Sequence, residues 1–338
     1  MDRLTKILSL KRAHGSVGER CLVETFLDPY NPTPLYNAKN EVLAYLIDIP
    51  DTSSECSPVL FSCHIDTVHA AADAAENPAL FDPELKLYYK DDNTPLGADD
   101  GAGVWLMLEL IDAGVPGAYL FHRGEERGGI GSSQIADEYT ELLAQFKFAI
   151  AFDRRGTTSV ITHQGRGRCC SDAFAQALAD QLNQGGLSLA PDDTGIYTDT
   201  AEYIRRIPEC TNISVGYDCE HSAHEYLDGE YLLKLRAALI EHFDPAVLPV
   251  ERDVNDVEDY DYGLWGRYGR SSGVFDYTCG EPRDAYDIAE MHYQDIVKWV
   301  RDADPRDVAD LLVAMSDDIT FYDNQRAERA ERLEVGLQ

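Results

Sequence analysis

Positive charge is what this sequence has least of. Its 338 residues hold 29 lysines and arginines against 61 aspartates and glutamates, a formal net charge of −32, and only 8 of the bases are lysines. A surface that negative repels phosphate backbones and anionic lipid, so neither nucleic acid nor a membrane is an expected partner. Long apolar runs are missing as well. No stretch of about 18 apolar residues exists that could cross a bilayer. The opening Met1, Asp2 and Arg3, with Lys6, Lys11 and Arg12, lacks the apolar core and small-residue cleavage site of a secretion signal. The expectation is a soluble, cytoplasmic protein. The eight cysteines contain no C-x-x-C pair, which argues against thiolate zinc knuckles and against a dense disulfide scaffold at this length. Aspartate outnumbers glutamate 37 to 24, a balance that suits a salt-adapted surface or an ordinary acidic enzyme.

What is present is a globular composition, 44% hydrophobic with 25 glycines and 15 prolines, enough for one large core with or without a smaller appended domain. Helical periodicity opens the chain at Leu4, Ile7, Leu8 and Leu10, and resumes after Gly15 to Glu19 at Leu22, Val23, Phe26 and Leu27. Strands and helices then alternate. Apolar runs predict strands over 42–49, 59–63, 118–122, 148–152 and 213–216, and helical patterns fill 104–113, 172–184 and 232–243. That alternation implies crossover connections, hence an α/β fold with a mostly parallel, helix-covered sheet. After Pro249 the pattern changes to an acidic aromatic stretch (Tyr260, Tyr262, Trp265, Tyr268, Phe275, Tyr277), followed by a helix start at Asp304-Pro305. Two parts are expected: a catalytic domain over 1–248 and an acidic, aromatic, then helical extension over 249–338, placed against the catalytic domain beside its groove.

In an open parallel sheet, ligands bind beyond the carboxyl ends of the strands. The residues there are rich in metal-ligand chemistry: His64 and Asp66, Glu125 and Glu126, Asp153, His221 and Glu225, with Asp99 and Asp100 between glycines ahead of a helix. Singly, each has an ordinary reading as a cap or a solvated charge. Gathered at one edge, carboxylates repel one another and lose hydration, a cost that cations offset, and two imidazoles among them suit a borderline divalent ion such as zinc.

The segments carrying these residues, Ser62-Cys63-His64-Ile65-Asp66-Thr67-Val68, Gly97-Ala98-Asp99-Asp100-Gly101-Ala102-Gly103, Gly124-Glu125-Glu126-Arg127-Gly128-Gly129, Ala151-Phe152-Asp153 and His221-Ser222-Ala223-His224-Glu225, also carry a resemblance. In that order they resemble the co-catalytic di-zinc metallopeptidases, the group of bacterial zinc aminopeptidases, peptidase T and related deacylases, over residues 4–243. The resemblance implies that His64 and Asp153 bind one zinc, Glu126 and His221 the other, and that Asp99 bridges them through an Asp99-Asp100 peptide in the cis form. It implies further that Asp66 hydrogen-bonds the far nitrogen of His64, that Glu225 supports the site, and that Glu125 shuttles the proton of a metal-bridging water. His221 is preferred to His224 because H-S-x-x-E is the family's spelling. Two divalent ions follow as cofactors, zinc first, with cobalt or manganese as alternatives.

Peptidase T resembles many deacylases in carrying a lid domain between the last two ligands. Here Asp153 and His221 lie 68 residues apart, whereas a lid domain needs about 100, so a lidless aminopeptidase layout is expected. The stretch from Thr198 to Tyr203, followed by Ile207-Pro208 and by Asn212 to Tyr217, is similar to the approach to the final histidine in those enzymes. The substrate implied is a peptide or a small acylated amino acid. An aminopeptidase leads, a dipeptidase or N-acyl amino-acid deacylase shares the same metals, and an inactive binding protein on a hydrolase fold is the reading from another class. Assembly into a homo-oligomer is left open. His69 and His122 read as supporting or surface histidines, Arg154, Arg155, Arg166 and Arg168 as substrate-carboxylate binders or as offsets to the acids, and Cys169-Cys170 as structural.

Overall fold

The computed structural model describes residues 3–50, 58–70, 78–164 and 167–255, all within the first of the chain's two units, Met1–Thr278. Arg166, the aromatic stretch from Tyr260 to Tyr277, the Asp304-Pro305 helix start and nearly all of the expected 249–338 extension lie outside the described residues. Eight strands form the main sheet: β1 (Thr33–Tyr36), β2 (Val42–Ile49), β3 (Val59–His64), β4 (Gly117–His122), β5 (Phe148–Arg154), β6 (Ser159–Ile161), β7 (Ala190–Asp192) and β8 (Glu209–Ser214). Their spatial order is β1-β2-β4-β3-β5-β8-β6-β7. The central strands β4, β3, β5 and β8 run parallel, whereas β1–β2, β2–β4 and β8–β6 are antiparallel. The sheet is therefore mixed around a parallel core.

The parallel strands are buried on both faces: every residue of β3, β4 and β8 is buried, and in β5 all but the last. Strand β2 is half-wet, as an antiparallel strand toward an edge can be. Helices α1 (Arg3–Leu8), α2 (Val17–Leu22), α3 (Ala98–Asp112), α4 (Ile130–Glu138), α5 (Asp172–Asn183) and α6 (Gly229–Glu241) complete the layers. Phe61 stacks on Phe152 at 5.7 Å and Phe148 on Phe174 at 5.2 Å, joining strands to one another and to α5. The two core clusters lie on opposite faces of the sheet: Phe61 and Phe148 belong to one, and the alternate residues Leu60 and Ala149 to the other.

Two boundaries differ from the sequence reading. Strand β8 covers 209–214 rather than 213–216, because its polar residues are buried and paired: Glu209 accepts from Ser171 N, Glu251 N and Arg252 N, and Thr211 donates to Ile161 O. Helix α3 starts at Ala98, six residues before the apolar period, with Asp99 and Asp100 in non-helical conformations inside it. The Asp99-Asp100 peptide is cis. Between Asp153 and His221 the described chain is occupied by β6, α5, β7 and β8, members of the same layers.

Candidate metal centre

The parallel strands and their connections deliver the side chains. His64 ends β3 and Asp153 lies near the end of β5. Glu125 and Glu126 form the short 3-10 turn after β4, entered and left through Gly124 (φ +77°) and Gly128 (φ +81°). Asp99 heads α3, and His221 sits in the loop after β8 in a left-handed conformation (φ +61°) that side chains seldom adopt.

The structure brings five of the sequence-selected side chains together. Asp99 lies between two imidazoles, Oδ1 at 2.9 Å from His64 Nε2 and Oδ2 at 3.1 Å from His221 Nε2. Asp153 Oδ1 is 3.6 Å from the same nitrogen of His64, and Glu126 Oε1 is 3.2 Å from that of His221. Donor atoms of His64, Asp99 and Glu126, and separately those of His64, Asp100 and Asp153, lie within 4.8 Å of one another. His224 is exposed, and its main-chain N–H donates to Ser222 Oγ.

The chemistry of this set fits divalent metal. His64 Nδ1 faces the Asp66 carbonyl at 3.1 Å; a carbonyl can only accept, so Nδ1 carries the proton and Nε2 of the neutral ring presents a lone pair to Asp99. Two lone pairs at 2.9 Å need a proton or a cation between them. Zinc bonds of about 2.0–2.1 Å in a tetrahedron imply ligand separations of about 3.3 Å, and the gaps here run from 2.9 to 3.6 Å. Both oxygens of Glu126 are buried without a hydrogen bond of good geometry, as expected of a carboxylate shaped for a metal rather than for a protein donor.

Electrostatics record the crowding. Burial alone works against a charge on His64, yet Asp153, Asp99 and Glu125 outweigh it and raise its pKa well above the usual value. Burial raises the carboxyl pKa of Asp153, reinforced by Asp99, and that of Glu126, also reinforced by Asp99. Asp99 goes the other way: burial opposes its charge, but the imidazoles of His221 and His64 beside it hold its carboxyl well below the ordinary range. Glu125, half-buried, is raised by burial and then by Asp153, Glu126 and Asp199, against the pull of His64.

Asp66 does not bind His64 through its carboxylate, as the resemblance implied. The contact is its main-chain carbonyl, while Oδ1 lies 3.7 Å from Nδ1 and accepts from Gly124 N at 2.8 Å and Glu125 N at 3.2 Å. The side chain thus ties the glutamate turn to the histidine strand, because two main-chain N–H donors bind a carboxylate closer than one ring nitrogen does. Glu225 accepts from Gly97 N at 2.8 Å and Asp99 N at 3.0 Å, fixing the aspartate turn. His69 and His122 are both buried, His69 between Thr67 Oγ1 and Pro95 O, His122 between Tyr203 Oη and Cys63 O. Arg154 faces Thr194 and Asp192, Arg155 faces Glu220, and Arg168 faces Asp172. Cys169 and Cys170 are free and buried.

Sequence reading missed three supports. Tyr217 Oη donates to Asp153 Oδ1 at 2.9 Å, Asn212 brackets the Asp153 peptide at both its N–H and its carbonyl, and Arg12 lies buried beside the aspartates. Asn212 and Tyr217 bound the stretch similar to the approach to the final histidine, a signal that marked the segment but gave neither residue a role. Arg12 gave none.

Residues 46–207 match the model of Peptidase family M28. No curated protein matches the chain in sequence. In structure, the aminopeptidase PepT from Bacillus cereus is similar at a TM-score of 0.56 and 15% identity, covering 70% of this chain and 95% of that one. A tripeptidase from Staphylococcus aureus gives 0.54 and 16%, covering 70% and 95%. The TET1 peptidase of Pyrococcus horikoshii, which can assemble into a tetrahedron or a large octahedral shell, gives 0.50 and 16%, covering 69% and 98%. At these identities the structural likenesses speak for the fold, and the family match over 46–207 speaks for the chemistry. The chain thus shares the fold of the aminopeptidases named above, and its segment matching Peptidase family M28, which holds His64, Asp99, Glu125, Glu126 and Asp153 but not His221, supports metal-dependent peptide hydrolysis.

Proposed function

We propose that the chain removes residues from the free N-terminus of peptides, with His64 and Asp153 holding one divalent ion, His221 and Glu126 holding a second, and Asp99 giving one oxygen to each. The observation that carries this reading is the pair of Asp99 contacts, one carboxylate oxygen toward each imidazole nitrogen. Bound there, two ions would polarise the scissile carbonyl and lower the pKa of water toward neutrality, with zinc the metal best suited to the donor set.

The chain's own residues do the rest. Glu125 takes a proton from the attacking water on its carboxylate and returns it to the leaving amine. Its raised pKa suits that task, since a carboxyl that holds its proton more tightly is a better base at neutral pH. Asp66, through the N–H groups of Gly124 and Glu125, keeps that carboxyl beside the cluster. Glu225 holds Asp99 by its main chain.

Glu125→Gln is the test. It should retain bound metal and lose about 10²–10⁴-fold in turnover of an aminoacyl anilide; loss of metal from this variant would overturn the assignment. A panel of aminoacyl anilides, dipeptides and N-acetylated amino acids separates the aminopeptidase from the dipeptidase and the deacylase, and a protein that neither binds metal nor cleaves any of them would be the inactive hydrolase fold. Self-association, a property of the TET1 peptidase, is checked for this chain by light scattering.

A further inference from the structure

In a chain so poor in bases, one arginine is spent where no water reaches it. Arg12 is 0% exposed. Its guanidinium hydrogen bonds all go to main-chain carbonyls: Nε to Ile65 O at 3.0 Å, Nη1 to Ile7 O at 2.8 Å and Leu10 O at 3.4 Å, and Nη2 to Gly97 O at 2.9 Å. The Arg12 main chain is tied in the same direction, its N–H donating to Thr67 Oγ1 at 3.1 Å and its carbonyl accepting from Thr67 N at 3.0 Å. Burial of a guanidinium is costly without compensation. Here Asp100, Glu225, Asp66 and Asp99 supply it: burial lowers the pKa to about 10 against their opposing pull, and the group stays charged at neutral pH.

Two of the four acceptors matter for the site. Ile65 follows His64 directly, and Gly97 stands two residues before Asp99. The Gly97 residue is gripped at both ends, its carbonyl by Arg12 and its N–H by Glu225, whose other oxygen takes the N–H of Asp99. Gly101, inside the aspartate motif, leaves the necessary room, because a Cβ there would lie 3.0 Å from Arg12 Nη2. Lysine carries the same charge but has a single ammonium on a flexible stem, and cannot reproduce the planar fork that reaches segments on either side.

We infer that Arg12 is a positioning residue of the metal centre, a buried fork that sets the spacing between the strand end carrying His64 and the turn carrying Asp99. This rests on the two-ion reading above. It assigns to the N-terminal segment, which supplies no ligand, a share in the geometry of the cluster.

The experiment strips metal from the full chain and from Arg12→Lys and Arg12→Met, then titrates each with zinc against a chromogenic chelator below its unfolding temperature, with near-ultraviolet circular dichroism as the check on folding. Wild type should bind tightly, and both variants should bind about 10- to 100-fold more weakly, with lysine failing to restore affinity. Variants that lose thermal stability but bind zinc like wild type would show a purely structural arginine and overturn the inference, as would full rescue by Arg12→Lys. No zinc uptake by wild type would sink the two-ion reading itself. Where Arg12→Met does not fold, Arg12→Lys decides. Where neither folds, Gly101→Ala, which crowds the fork without removing it, should weaken binding several-fold, and unchanged affinity there would refute the inference.

Discussion

Tyr217→Phe isolates a single hydroxyl at the candidate centre. Tyr217 is 3% exposed and its Oη donates to Asp153 Oδ1 at 2.9 Å. Phenylalanine keeps the ring, so no cavity opens and the change removes one hydrogen bond to a buried carboxylate. Such bonds contribute about 1.5–3 kcal/mol, which for a ligand's orienting partner corresponds to about 10- to 100-fold in metal affinity. Asn212 still holds the Asp153 main chain at N–H and carbonyl, so the carboxylate stays in place but loses its aim. The loss should therefore fall on one of two binding steps, leaving the step assigned to His221 and Glu126 nearly unchanged. Chelator-competition titration resolves the two steps, and thermal unfolding of the metal-free variant separates destabilisation from lost affinity. Two unchanged steps would refute the placement of Asp153 at the metal, and equal weakening of both would refute the division of ligands between two ions.

His221→Ala should lose metal and activity together while His224→Ala, at an exposed position, keeps most of both; metal analysis with an anilide assay checks the pair, and the reverse outcome would move the last ligand to His224. Gly103→Ala should misfold or lose its metal, since a Cβ there would fall 2.4 Å from both Asp100 Oδ1 and the Phe152 carbonyl; circular dichroism and expression yield report it, and a native, active variant would contradict the packing of α3 on β5. Burial holds His122 neutral, its pKa lowered to about 3 from an ordinary 6.5. The unfolded chain therefore binds a proton in this interval that the native state refuses. The contribution is complete above about 6.5 and is lost progressively as pH falls toward 3. Urea unfolding of metal-free protein across that window should show a shallower decline in His122→Gln than in wild type, and parallel declines would refute it.

Much of this was legible from residues, and what was not has physical reasons. Strands β3, β4 and β5 announce themselves because parallel strands buried on both faces are continuous apolar runs. The proposed metal ligands follow from the same logic, standing at or just past the ends of those runs in His64, Glu126 and Asp153. Sheet direction was harder. Strand β2 is as apolar in composition as its neighbours, and only its half-wet burial betrays an antiparallel partner. Strand β8 was misplaced because Glu209, Thr211 and Asn212 are polar and stand ahead of the apolar run, although each is buried with its hydrogen bonds made by residues distant in sequence. The roles of Asp66 and Arg12 show the same limit from the other side. Both act through main-chain N–H and C=O groups, which every residue possesses and no sequence pattern marks. Side-chain donors can be read from composition and order, but the main-chain acceptors that hold them in place become visible only once the chain has brought residue 12 against residues 65 and 97. The ligands of such a centre are thus its most legible part, and the groups that fix their spacing its least, although metal affinity depends on both.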